Sequence, residues 1–145
     1  MTPDPTDDLA GLDATAQAEL VRSGQASPLE LVDAAIARIE RHNGALNAVI
    51  HERFERARQE AQGALPDGPF RGVPFLLKDL DGFSAGDPYH AGNRALAAAS
   101  YRAPADSCLT QRFRAAGLVI LGRTNTPELG LMPSTEPLAQ GPTRN

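Results

Sequence analysis

Lysine is nearly missing from this sequence. Of its 14 basic residues, 13 are arginine and one, Lys78, is lysine. A cation needed only for solvation is arginine everywhere else in the chain, so the exception calls for something arginine lacks. Lysine can give up its proton when desolvated and then act as a base or a nucleophile, whereas a guanidinium stays charged. Tryptophan is absent and cysteine occurs once, at Cys108. A lone cysteine excludes a disulfide framework and a cysteine-rich metal site. The three histidines, His42, His51 and His90, are not spaced as metal ligands. No metal and no organic cofactor is expected. The net charge is -4 and no basic run occurs; phosphate-backbone binding needs clustered cations, so no nucleic-acid partner is expected. No apolar stretch approaches the roughly 20 residues that span a bilayer, so no membrane partner is expected. The acidic, proline-containing start, residues 1–8, lacks the basic and apolar regions of a signal peptide. These absences together point to a soluble, cytoplasmic protein.

What remains is a chain of 145 residues, 41% apolar and 22% charged, enough for one domain with a core. Residues 1–12 read as a disordered tail and 13–62 as mainly helical. The first helix runs from Asp13 to Arg22, closed by Gly24. Ser27-Pro28-Leu29-Glu30 is a capping box with proline at the first helical position. Val32, Ala35, Ile36 and Ile39 follow at helical spacing, and Gly44 is expected to end this helix as a left-handed cap. Leu46 to Ile50 reads as a short strand, and Glu52 to Gln62 as a charged helix with Phe54, Ala57 and Ala61 on its apolar face. Residues 72–121 read as strand, loop, helix, strand. Val73 to Leu77 is continuously apolar, as a buried strand is. A long loop follows from Asp79 to about Ala105. Asp106 is expected to cap a helix from Ser107 to Ala116, and Leu118 to Leu121 forms the second apolar strand. Such a unit should have parallel strands and a right-handed crossover, and ligands bind beyond the carboxyl ends of such strands, where Lys78 lies. Residues 122–145 read as irregular. Three short strands are too few to cover both faces of a parallel sheet, so the sequence is expected to be incomplete and, alone, to melt broadly at low temperature.

At this point a family resemblance enters. Phe70-Arg71-Gly72-Val73-Pro74-Phe75-Leu76-Leu77-Lys78-Asp79 resembles the lysine segment of the amidase signature family. Pro104-Ala105-Asp106-Ser107, Arg112 to Gly117, and Leu121-Gly122-Arg123-Thr124-Asn125-Thr126-Pro127-Glu128-Leu129-Gly130 are similar to its next segments, in order. Thr135-Glu136 and Gly141 to Asn145 are similar to the family's succeeding residues, and Ser27 to Val32 and Leu46 to Val49 to its N-terminal region. The resemblance implies an α/β fold with helices on a mixed, largely parallel sheet, of which this chain would be the N-terminal part. It implies a Ser–Ser–Lys hydrolase of linear or cyclic carboxylic amides, with a small-molecule amide as partner and the family's lysine on Lys78. Both family serines lie in a Gly/Ser-rich stretch beyond the Thr-Arg-Asn segment; Ser23, Ser27, Ser84, Ser100, Ser107 and Ser134 match neither position. The chain alone is therefore expected to be inactive. Stand-alone amidases, including relatives of aminohexanoate cyclic dimer hydrolases, resemble it more than glutamine-hydrolysing amidotransferase subunits do. The sequence carries no signal of an oligomeric state.

The residues also admit other readings. A lone lysine at a strand end can form a Schiff base, can snorkel to water or pair with Asp79 or Asp81, or can be left in a non-catalytic remnant. As a base it needs desolvation, for which Phe75 and Leu77 are the nearest apolar candidates. Asp79 would oppose it unless strand alternation turned its carboxylate away. Asn125 and Thr126 either shape a pocket or form an Asx-type turn before Pro127. Tyr89 and His90 either touch substrate or are solvated, His42 and His51 are expected to be solvated, and Cys108, Phe113 and Met132 are expected in the core.

Overall fold

The computed structural model describes Leu9 and residues 11–145; most of the expected tail over 1–12 lies outside the described residues. Helix α1, Ala14–Arg22, begins where the Asp13 carboxylate accepts from the Ala16 amide at 2.8 Å. Helix α2, Pro28–Leu46, carries the expected capping box. The Glu30 amide donates to Ser27 Oγ at 3.2 Å and the Ser27 amide to the Glu30 carboxylate at 2.7 Å. Those two bonds satisfy orphan donors of the first turn, and the bond from the Ser27 amide holds the Glu30 carboxyl below its ordinary value. The helix does not stop at Gly44. It runs to Leu46, and the left-handed residue is Asn47, φ 51°. Asn43 makes this possible: its Oδ1 accepts from the Ala48 and Val49 amides and its Nδ2 donates to the Val49 carbonyl.

Strand β1 is Val49–Glu52, helix α3 is Phe54–Gln62 and strand β2 is Pro74–Lys78. The expected loop from Asp79 to Ala105 is broken by helix α4, Arg94–Ala98, and by a bridge between Pro88 and Arg102. Helix α5, Cys108–Ala115, is capped by Ser107, whose Oγ accepts from the Thr110 amide at 3.2 Å. Asp106 is drawn off instead to the Ala85 amide at 2.7 Å. Strand β3, Val119–Thr124, runs three residues past the expected end because β1 pairs with its second half, Glu52 opposite Gly122 and His51 opposite Arg123. A single 3₁₀ turn, Glu128–Gly130, follows.

The sheet has the order β1-β3-β2, with β1 antiparallel to β3. The Val119 amide donates to Val73 and the Asp79 amide to Thr124, both at 2.9 Å. Both chains advance together between those bonds, so β2 and β3 are parallel and the sheet is mixed. Central β3 is buried almost throughout, whereas β2 is half-buried with Lys78 exposed. The continuous burial expected of β2 is not found, because β2 has only one strand neighbour.

The chain divides into two compact units. One comprises the residues up to His42, Arg53–Phe75 and Phe113–Leu121, and its interior is apolar: Leu31, Val32, Ile36, Ala57, Val119, Ile120 and Leu121 are buried. Phe113 is half-buried there and packs on Phe75, ring centroids 4.7 Å apart. The other comprises Asn43–Glu52, Leu76–Arg112 and Gly122–Asn145. Its interior is unusually polar. Among the described residues, every buried polar side chain except Arg53 belongs to it: Asp79, Ser84, Asp87, His90, Thr110, Arg123, Asn125 and Thr126. Met132 and Cys108, expected in the core, are exposed.

Candidate active site

Lys78 is the last residue of β2, and alternation along the strand decides what surrounds it. Pro74, Leu76 and Lys78 share one face; Phe75, Leu77 and Asp79 share the other. Leu77 and Asp79 are buried and Lys78 is exposed. The carboxylate of Asp79 is therefore turned away from the amine, as expected. The same alternation removes Phe75 and Leu77 as its desolvating neighbours, which corrects the expectation that they would cover it. Among the described residues the amine has no hydrogen-bond or ion-pair partner.

Asp79 pairs instead with Arg123. The two side chains are 0% and 1% exposed, with Nε to Oδ1 at 3.1 Å. The guanidinium also donates to the carbonyls of Gly82 at 2.6 Å and Lys78 at 3.1 Å. It lies 5.2 Å from the centre of the Tyr89 ring. Burial pushes Arg123 below its ordinary value, while the Asp79 carboxylate opposes that shift. The carboxylate also accepts from the His90 amide, at 3.1 Å to Oδ1 and 3.3 Å to Oδ2. A buried charge is tolerable when paired and fully hydrogen-bonded in this way.

Tyr89 and His90 are buried rather than solvated. Tyr89 packs on Phe83, and its hydroxyl accepts from the Asp81 amide at 3.3 Å. His90 Nδ1 meets Gln140 Nε2 at 3.2 Å, and its ring stands edge-on to His51, centroids 4.6 Å apart. Both Nε2 atoms are buried without a partner, as is Thr126 Oγ1. His51 is thus half-buried rather than solvated, and burial is the first cause of its lowered pKa; exposed His42 is as expected. Gly92, φ +67°, brings this loop onto the segment after β3: an added Cβ would sit 2.9 Å from the Thr126 carbonyl. Asn125 does more than form a local turn. Its Nδ2 donates to the Gly141 carbonyl and to Thr143 Oγ1, both at 3.0 Å, while its Oδ1 accepts from the Thr126 amide.

Sequence reasoning singled out Lys78 and named Asp79 and His90, but did not foresee that Asp79 and His90 join Arg123, His51 and Gln140 in one polar cluster. One signal was available for Arg123: a charge two residues past an apolar run, on a strand read as ending at Leu121. A strand continued to Thr124 would have placed that charge inside and demanded a carboxylate.

The sequence matches the Amidase family over residues 30–145, and the chain belongs to that family. It is 53% identical over 133 residues to a 6-aminohexanoate-cyclic-dimer hydrolase of Paenarthrobacter ureafaciens, covering 92% of this chain and 27% of that protein. A solved structure of 6-aminohexanoate cyclic dimer hydrolase with substrate superposes with a TM-score of 0.89 at 52% identity, covering 95% of this chain and 28% of that one. A glutamyl-tRNA(Gln) amidotransferase subunit of Salinispora arenicola is 39% identical over 145 residues, covering 95% of this chain and 29% of that protein. The chain thus spans between a quarter and a third of the length of these relatives. The fold is that of amidase signature enzymes, as the resemblance implied.

Proposed function

We propose that this chain carries the lysine segment of an enzyme that hydrolyses carboxylic amide C–N bonds, with Lys78 as the general base of a Ser–Ser–Lys arrangement. The observation that carries the reading is the placement of the family's lysine motif. The only lysine of the chain ends β2 with its amine unpartnered among the described residues, while the neighbouring acid is held by Arg123. A neutral amine there would take the proton of a nucleophilic serine through a bridging serine. The serine oxygen would then attack the amide carbonyl. The proton would pass to the leaving nitrogen, and water would release the acid from the acyl-enzyme. Neither serine matches a position in these 145 residues, so the chain alone is proposed to be inactive. High identity to a cyclic dimer hydrolase supports cyclic as well as linear amides as substrates and favours that reading over an ammonia-supplying amidotransferase component. Location in the cytoplasm fits; among the described residues no helix is long and apolar enough to cross a membrane.

The test uses two proteins. The pure 145-residue chain should release no amine from a cyclic or linear amide. A chimera in which residues 30–145 replace the matching segment of the Paenarthrobacter hydrolase should turn over, and Lys78→Ala in it should cut kcat by roughly 100-fold or more, the scale of general base catalysis. Turnover by the chain alone would overturn the proposed inactivity. An unaffected Lys78→Ala chimera would overturn the role of Lys78, and borohydride trapping of a carbonyl ligand on Lys78 would favour Schiff-base chemistry instead.

A further inference from the structure

Arg123 has no access to solvent, and its three hydrogen bonds go to one turn. Nη2 donates to the Lys78 carbonyl, Nη1 to the Gly82 carbonyl and Nε to the Asp79 carboxylate. One planar cation therefore closes both ends of the Lys78–Gly82 turn and neutralises the acid within it. The turn needs holding, because Asp81 sits at φ 62°, a conformation that side chains rarely adopt. A lysine at position 123 would present a single ammonium without the rigid fork that reaches three acceptors at once.

We infer that Arg123 is a positioning residue for Lys78: it fixes the strand end from which the amine projects and keeps the Asp79 carboxylate from swinging toward it. The inference rests on the reading of Lys78 as the base. A free carboxylate beside an amine favours the charged form, which cannot accept a proton. Arg123 thus serves the base from behind the sheet without touching substrate.

The single lysine supplies the probe. Lysine labelled at its backbone nitrogen gives the 145-residue chain one labelled amide, that of Lys78. In Arg123→Gln, which removes the donor to the Lys78 carbonyl, this signal should move. Arg123→Lys should recover part of the shift. Val119→Ala, a buried position in the same strand chosen to match the loss of stability, should leave the signal in place. A Lys78 signal unmoved in folded Arg123→Gln, or moved equally by Val119→Ala, would overturn the inference. Where Arg123→Gln does not fold, Arg123→Lys decides: a displaced signal supports the inference and a coincident one overturns it. Failure of the underlying reading looks different, since Lys78→Ala would then leave the chimera active whatever the amide signal does.

Discussion

Side by side in the sequence, Lys78 and Asp79 are sorted by the strand to opposite faces, and their fates diverge. The acid is buried and needs a cation; the amine is exposed and, among the described residues, has no hydrogen-bond or ion-pair partner. His51 adds a titratable group to the same polar interior. Burial lowers its pKa from the ordinary 6.5, His90, Arg123 and Arg102 add to that, and Asp79 opposes it. Folding therefore favours the neutral form of His51, and the unfolded chain protonates it more readily. Its contribution to stability is present above about pH 6.5 and is lost as pH falls through the lowered value. The urea midpoint should drop between pH 7.5 and 5.5, and His51→Leu should flatten that drop. A His51→Leu midpoint that falls as steeply as the parent's would show that another group dominates. Lys78 was legible in the sequence because its rarity is a matter of counting. Arg123 was not, since its carboxylate partner lies 44 residues away and nothing local marks the pair.

Among the elements, those with local causes were the legible ones. The Ser27–Glu30 box is closed within one turn, so the start of α2 follows from four residues. Ser27→Ala should cost about 1 kcal/mol, the usual value of a lost N-cap, read as a lower urea midpoint at unchanged m. A loss of several kcal/mol would mean that Ser27 does more than cap. The end of α2 was misread at Gly44 because Asn43 bonds past it to Ala48 and Val49 and a distant segment adds to this. Asn47 takes the left-handed position, and its side chain donates to the carbonyls of Gln140 and Pro142 at 2.9 and 3.1 Å. The same holds at β3, whose last three residues, Gly122 to Thr124, have β1 beside them on one side and the Asp79 amide bonded to Thr124 on the other. Asp106 was a sound N-cap by type, yet a loop amide from 21 residues earlier claimed it.

For the molecule as a whole, the segment after β3 exposes large apolar side chains: Leu131 77%, Met132 61% and Leu138 78%. Large apolar side chains exposed to water in this way favour association. Leu131→Ser with Leu138→Ser should reduce hydrophobic-dye binding and concentration-dependent association while changing stability by less than about 0.5 kcal/mol, because exposed positions carry little packing energy. A larger loss of stability would show that these residues are covered in solution.

The sequence by itself determined the family, the mixed α/β character, the starts of α1 and α2 and the one lysine, because capping, periodicity and ordered motifs are properties of neighbouring residues. Tertiary structure alone decided that Arg123 is buried, that it closes the turn behind Lys78, and that His51 and His90 meet edge-on. Each of these joins segments distant in the chain, and a buried charge or ring becomes tolerable only when the fold brings its partner to it.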